Sequence, residues 1–206
     1  MASQLSGQPQ FRWKFCSAVD GHLLPESEID QINQSAVRTL TRGEIGCALS
    51  HKKVWEMATL EKSAEHTWVM EDDVSLLPAI ADLESILSGL GKDREWDILY
   101  MTGDSNTEYF FEVCDHIHLK PYLEGDLTKY FHEDDASRYA TQVGPQIGAY
   151  SYILSSSGLK KVRAFFETLV NPVDVQIGQM NDWLSTFMAK TCLVQHEYDG
   201  TSDSRL

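Results

Sequence analysis

The sequence predicts an α/β domain built on a mixed, mostly parallel sheet. Three short apolar segments of strand length, each followed by polar or acidic residues, occupy 67–70, 96–101 and 149–154. Segments with apolar residues at helical spacing lie before and after them. Strands that alternate with helices are typical of sheets covered by helices, in which ligands bind beyond the carboxyl ends of the strands. Because 206 residues is a usual length for one domain, we expect a single domain over 1–206.

The first third of the chain contains one strand pattern and one helix pattern. Residues 11–16 alternate apolar and basic side chains, which is typical of a short, half-buried strand. Thr41 and Glu44 have the spacing of a capping box, in which both side chains accept hydrogen bonds from free amides at a helix start. Apolar residues recur behind this box at helical spacing, so the sequence predicts a helix over 42–62.

The second half of the chain contains a long insertion followed by further regular elements. Residues 103–147 combine acids and aromatics with little periodicity, which predicts a loop-rich insertion. Ser155 precedes a run with helical spacing that ends before Pro172, so a helix is expected there. A shorter helix is predicted over 181–190 and a last strand over 192–196.

The composition argues against several classes of partner and against a membrane-spanning or secreted location. The chain has 31 acidic and 17 basic side chains and a net charge of −14, so we expect no nucleic-acid partner and at most peripheral membrane contact. No apolar run reaches the roughly 20 residues that cross a bilayer, and the first residues lack the pattern of a signal peptide. The four scattered cysteines form no CxxC pair. They predict reduced, mostly buried thiols in a cytoplasmic protein, with any membrane contact at the inner face.

The acid trio Glu71-Asp72-Asp73 is the most informative candidate site. It directly follows a short apolar strand, so three carboxylates are held close together at a strand end. Their mutual repulsion is costly unless a cation or hydrogen bonds offset it. Oxygen ligands of this kind suit Mn²⁺ or Mg²⁺, which leave open positions for phosphate oxygens. A solvated acidic loop is the simpler alternative.

Other residues are weaker candidates when they are taken alone. His51 lies on the capped helix, where histidine is most often a surface or hydrogen-bonded residue. Asp174 follows Pro172 on a constrained loop, which is also typical of a helix N-cap. His196 is either a metal ligand or an edge residue of the last strand. Ser202 and Asp203 either bind phosphate or belong to a frayed tail.

Several motifs occur in an order that resembles a known family. RGEIGCALSH spans 42–51 and is followed by VMEDDV at 69–74. AVDG at 18–21 precedes them, while GAYSYILS at 148–155 and PVD at 172–174 follow. This combination resembles glycosyltransferase family 25, which includes bacterial lipopolysaccharide and lipooligosaccharide glycosyltransferases and the collagen galactosyltransferases. The resemblance covers nearly the whole chain.

The resemblance implies a fold, a donor and roles for named residues. The fold is a GT-A-like nucleotide-sugar transferase domain, the donor is a UDP-sugar, typically UDP-galactose, and transfer inverts the anomeric carbon. The acid trio is then the DXD-like element that holds Mn²⁺ (or Mg²⁺), with Asp73, Glu71 and His196 as the expected ligands. We expect Asp174 to take the proton of the acceptor hydroxyl. Contacts with donor or acceptor are expected from Gly43, Glu44, Ser50, His51, Glu71, Asp72, Ser202 and Asp203.

The predicted function is therefore an inverting, metal-dependent transfer of a hexose, with galactose expected, to a lipopolysaccharide, lipooligosaccharide or related glycan. Family members usually open with an apolar strand, Asn-Leu and an Arg-rich turn, and residues 1–5 do not show this pattern. We therefore expect the usual first strand to be absent, which makes an open sheet edge available for a homo-oligomer. Two alternatives stay open. One is a non-catalytic sugar- or partner-binding module of the same fold, and the other is a metal-dependent phosphohydrolase built on the acid trio.

Overall fold

A computed structural model describes residues 11–61, 64–93, 95–116 and 138–197. Two short 3₁₀ helices occupy Gly21–Leu23 and Pro78–Asp82. The α-helices are α1 (Glu26–Ser35), α2 (Arg42–Thr59), α3 (Leu83–Asp93), α4 (Thr107–His116), α5 (Ser156–Phe165) and α6 (Val173–Gly178). The strands are β1 (His66–Met70), β2 (Val74–Leu76), β3 (Ile98–Tyr100), β4 (Ala140–Gln142), β5 (Ser151–Ser155), β6 (Thr186–Ala189) and β7 (Val194–His196).

The described residues form a five-stranded sheet in the order β1-β5-β3-β6-β4, with β2 and β7 as a separate antiparallel pair. Only β3 and β6 run parallel, whereas β1/β5, β3/β5 and β4/β6 are antiparallel. The expectation of a mixed α/β sheet is confirmed, but the expectation of a mostly parallel one is wrong. A strand buried on both faces carries the same apolar pattern whichever way its neighbours run, so the pattern held no information on strand direction.

Successive strand residues point to opposite sides of the sheet, and both sides are buried. Ile98 and Tyr100 belong to one apolar cluster, together with residues of α2, α5 and α6. Leu99 and Ile153 belong to the other, together with residues of α3, β2 and β7. The sheet is thus the middle layer between α2, α5 and α6 on one face and α3 with the β2/β7 pair on the other.

The first turn of α2 is fixed by the predicted capping box. The Thr41 hydroxyl accepts from the Glu44 amide at 3.2 Å, and a Glu44 carboxylate oxygen accepts from the Thr41 amide at 2.8 Å. The segment 18–21 packs against this helix at van der Waals distance. A methyl group on Gly46 would lie 2.7 Å from the Val19 carbonyl oxygen, so only glycine allows this close approach. The capping box thus fixes the start of α2, and the close contact at Gly46 places the segment 18–21 against this helix, whose residues Ala48 and Trp55 pack in the core beneath the sheet.

Two local predictions are wrong. Residues 11–16 form no strand, because Trp13 packs its ring against Trp68 of β1 at 5.0 Å instead of extending the sheet. The stretch 181–190 contains β6 rather than a helix, since its four strand residues are all buried between β3 and β4. Within 103–147 the structure describes α4 and β4, and the loop-rich insertion stays a prediction. The structure does not describe 117–137, and the boundaries of a single domain stay a prediction.

The four cysteines are free, but the expectation that most are buried is wrong. Cys114 is buried, Cys16 and Cys47 are half-buried, and Cys192 is exposed in the turn before β7. Cys47 is half-buried because it lies on the side of α2 that faces the acid trio.

In the part of the chain that the structure describes, no helix combines the length and the apolar character needed to cross a membrane.

Candidate active site

The acid trio lies where β1 leaves the sheet. The last hydrogen bond at the end of β1 joins the Glu71 amide to the Tyr150 carbonyl oxygen at 2.9 Å. Asp72 and Asp73 then form a turn, and β2 begins at Val74. Because the strand does not continue through the trio, its acids diverge: Glu71 contacts α2, and Asp73 contacts β7.

Glu71 receives two side chains from one face of α2. Its Oε1 lies 3.0 Å from His51 Nε2 and 3.8 Å from Cys47 Sγ. Cys47 and His51 are four residues apart, so they lie one above the other on the same helix face. On its other side, His51 Nδ1 lies 2.8 Å from the Tyr152 hydroxyl, and the Tyr152 oxygen accepts from Trp55 Nε1 at 3.0 Å. A hydrogen-bonded chain therefore runs from the core to the strand end.

These contacts change the acidity of Glu71 and Cys47. Burial alone would raise the pKa of Glu71, but its contacts with His51, above all the hydrogen bond, outweigh burial, so this pKa is lowered. The pKa of the Cys47 thiol is raised, first by burial and then by the negative charges of Glu71, Asp174 and Asp73. The negative charges of all three carboxylates thus act on the Cys47 thiol.

Asp73 and His196 are brought together by the pairing of β2 with β7, in which Val74 faces His196. Asp73 Oδ2 lies 2.9 Å from His196 Nε2, and the imidazole stacks on the Tyr150 ring at 4.6 Å. The other oxygen, Asp73 Oδ1, is buried and accepts no hydrogen bond from any residue that the structure describes. A buried carboxylate oxygen without a donor is costly, and a cation is one group that would satisfy it.

Asp174 occupies the first turn of α6 rather than its N-cap, which is Pro172, so the N-cap alternative is wrong. Its Oδ2 accepts from the Gly148 amide at 3.0 Å, and its Oδ1 accepts from the Val175 amide at 2.8 Å. Gly148 has φ of 90°, a conformation that favours glycine. Burial is the largest cause of the raised pKa of Asp174, and the charge of Glu71 adds to it. A carboxylate with a raised pKa is suited to taking a proton.

The predicted ligands suit a divalent cation by type. Asp73 and Glu71 offer carboxylate oxygens and His196 is an imidazole, a combination that Mn²⁺ accepts. By position, however, the three described residues whose ligand atoms lie within 4.8 Å of one another are Cys47, His51 and Glu71. This second cluster is held together by hydrogen bonds within the protein, since His51 uses both ring nitrogens for them.

Other predicted residues have structural partners. Both Glu44 oxygens are engaged, by the Thr41 amide and by the Arg38 guanidinium. Ser50 donates to the Gly46 carbonyl oxygen at 2.7 Å and accepts from the Val19 amide at 2.8 Å, so it ties the segment 18–21 to α2.

Two further residues with predicted contacts, Gly43 and Asp72, are available to a ligand, and two others are not described by the structure. Gly43 is the second residue of α2, where helix amides have no partner within the helix. Asp72 is exposed at the tip of the turn. Ser202 and Asp203 lie outside the described residues. Contacts of all these residues with donor or acceptor stay predictions.

The sequence alone does not identify several members of this site. Cys47 lies within a motif, and Tyr152, Trp55 and Tyr150 fit the pattern of strand or core positions. The available signal was the spacing of Cys47, His51 and Trp55, which recur every four residues on one helix face. A polar residue between two core positions on such a face indicates a buried polar contact.

Comparisons with known proteins agree with the resemblance seen in the sequence. The model of glycosyltransferase family 25 (LPS biosynthesis protein) matches residues 1–177. Human procollagen galactosyltransferase 2 is 32% identical over 99 residues, which cover 43% of this chain and 16% of that protein. A putative glycosyltransferase R655 of Acanthamoeba polyphaga mimivirus is 30% identical over 139 residues, 62% of this chain and 43% of that protein. Human inactive glycosyltransferase 25 family member 3 is 32% identical over 95 residues, 41% of this chain and 16% of that protein.

The matches thus cover less than half the length of each of these relatives. The family model, by contrast, covers most of this chain and includes α2, the acid trio and Asp174. The chain therefore belongs to glycosyltransferase family 25.

Proposed function

We propose that this chain transfers galactose from UDP-galactose to a glycan or glycosylated acceptor, with inversion and with Mn²⁺ or Mg²⁺ as cofactor. The observation that carries this proposal is the Oδ1 of Asp73 beside His196, which is buried and accepts no hydrogen bond from the described residues. A cation bound there would satisfy it. Galactose is supported by the names of the procollagen galactosyltransferase relatives.

The residues that would hold the cation are Asp73, Glu71 and His196. When bound, the cation neutralises negative charge on the departing diphosphate. The two carboxylates are already separated by their histidine contacts, Glu71 on His51 and Asp73 on His196. This arrangement fixes both acids at the strand end before the donor arrives, so little ordering is needed on binding.

Asp174 is the group that we propose takes the proton of the attacking acceptor hydroxyl. Its raised pKa favours proton uptake, and its two backbone hydrogen bonds hold the carboxylate in place. Asp174→Asn removes the base, so turnover should fall by about 10²–10⁴-fold while UDP-galactose affinity stays near that of the parent chain. Affinity that falls in step with turnover would contradict a role confined to proton transfer.

The acceptor is proposed from the printed descriptions of the family and its relatives. The family description names LPS biosynthesis, and the relatives include procollagen galactosyltransferases. The direct test is UDP release from UDP-galactose and Mn²⁺ with lipooligosaccharide or with procollagen as acceptor. The anomeric configuration of the product, read by NMR, tests inversion.

A non-catalytic sugar-binding module of the same fold is the second candidate, because one relative is named inactive. UDP-galactose and Mn²⁺ that bind without UDP release, with either acceptor, would favour the module. UDP release that depends on acceptor and is lost in Asp174→Asn would favour the enzyme.

A further inference from the structure

The hydrogen-bonded chain from Trp55 to Glu71 allows its protons to be placed. Trp55 Nε1 can only donate, so the Tyr152 oxygen accepts from it. The hydroxyl hydrogen of Tyr152 then needs an acceptor of its own. Tyr152 is fully buried, and within the described residues the acceptor in reach is His51 Nδ1 at 2.8 Å.

The tautomer of His51 follows from this order. If Nδ1 accepts from Tyr152, the proton of the neutral imidazole lies on Nε2. Nε2 is 3.0 Å from Glu71 Oε1, and a carboxylate oxygen needs a donor there. The other tautomer would set two lone pairs against each other at Glu71 and leave the Tyr152 hydrogen without a partner.

We propose that Trp55 and Tyr152 fix His51 as the Nε2–H tautomer, and that His51 thereby positions Glu71 with Oε2 as its open acceptor. Oε1 takes both protein donors, His51 Nε2–H and the Cys47 thiol, whereas Oε2 accepts no hydrogen bond from the described residues. The Glu71 side chain is 32% exposed, so ligands can reach it. The role of Oε2 toward the donor rests on the proposed function.

The chain is anchored in the apolar core, which makes it a rigid support. Trp55 is fully buried and packs edge-on against Phe166 at 4.8 Å. His51 is 4% exposed and stacks on the Tyr152 ring at 5.8 Å. His51 is thus a positioning residue, because it acts through Glu71 rather than on the substrate. This differs from the direct donor or acceptor contact that the sequence suggested for it.

The tautomer is tested without any substrate. Long-range ¹H–¹⁵N correlation spectra of the ¹⁵N-labelled chain at neutral pH distinguish the protonated from the bare ring nitrogen, and His51→Gln identifies the His51 signals by their loss. We expect a proton on Nε2 and a bare Nδ1. Tyr152→Phe should convert this fixed pattern to an average of both tautomers, while Tyr100→Phe, a matched change in the same core cluster, should leave it unchanged. A proton on Nδ1, or an unchanged pattern in Tyr152→Phe, overturns the proposal.

The positioning of Glu71 is tested by ligand affinity. Tyr152→Phe should weaken UDP-galactose binding in the presence of Mn²⁺ by about tenfold, the lower end of the range for outer-shell partners. If that variant does not fold, His51→Gln and His51→Leu replace it, since the Gln amide can donate from the place of Nε2. Gln should then bind about tenfold more tightly than Leu. Equal affinities overturn the positioning role. A parent chain that binds no UDP-galactose overturns the proposed function instead, while the spectra still decide the tautomer.

Discussion

Asp73→Asn separates the contact of Asp73 with His196 from its proposed binding of a cation, because the substitution removes the charge of the side chain and keeps its shape. Without metal, two effects oppose each other. The Asp73–His196 contact loses its charge assistance, which is worth at most about 1 kcal/mol for side chains that are 44% and 28% exposed. The buried Oδ1 is no longer a charged atom without a partner, which offsets part of that loss. The free energy of unfolding should therefore stay within about 1 kcal/mol of the parent value.

With metal, the parent chain and Asp73→Asn should differ clearly in Tm. A cation at one hundred times its dissociation constant stabilises a folded protein by about 2.7 kcal/mol. For a chain of this size, about 1 kcal/mol corresponds to about 2–4 °C in Tm, so the parent Tm should rise by about 5–11 °C. Asp73→Asn should lose most of this rise, because the cation then lacks its central carboxylate.

The assay is thermal unfolding of the full chain with and without Mn²⁺, each in the presence and absence of UDP. Asp82→Asn is the control, since it makes the same chemical change at an exposed acid away from the site. The control should keep the whole Mn²⁺-dependent rise in Tm. If Asp73→Asn keeps it as well, Asp73 is not a ligand and the buried oxygen needs another explanation.

Two further predictions concern stability. Burial alone would raise the pKa of Glu44, but the Arg38 hydrogen bond and the Thr41 amide outweigh burial and lower this pKa. The contribution of ionised Glu44 to the free energy of unfolding is therefore present above the ordinary glutamate pKa and is lost as pH falls. Glu44→Gln should cost about 1 kcal/mol in urea unfolding at pH 7, and this difference should shrink below about pH 4; a constant difference would contradict the ion pair. Lys161→Met leaves Asp97, 4% exposed, without its ammonium partner at 2.5 Å and should cost about 2 kcal/mol. The exposed neighbour Lys160→Met should cost less than about 0.5 kcal/mol, and equal losses would refute the pairing.

The elements that local signals specify were predictable from the sequence. The capping box at Thr41 and Glu44 places the start of α2 at Arg42, where the structure has it. The helix that follows Ser155 is confirmed for the same reason, since the Ser155 side chain accepts from the Gly158 amide at 3.0 Å. These signals depend on residues within one turn, so no distant contact is needed to interpret them.

What depends on distant contacts was not predictable. The four residues of β6 form a run too short to distinguish helix from strand by period, and their place beside β3 decides the matter. The partners of the acid trio are also distant from it in the sequence. Glu71 and His51 are 20 residues apart, and Asp73 and His196 are 123 apart. A sequence pattern identifies acids at a strand end, but only the fold shows which histidine faces which acid.

The choice of histidine as the partner of each acid bears on how the site works. Close carboxylates repel, and lysine or arginine partners would offset that repulsion by cancelling the negative charge. In the described part of the chain, Glu71 and Asp73 are instead bonded to His51 and His196. An imidazole N–H donates a hydrogen bond and fixes geometry while the carboxylate keeps its charge. The site thus holds two oriented anions that still attract a cation, and the buried Oδ1 of Asp73 is where that attraction is least satisfied within the protein.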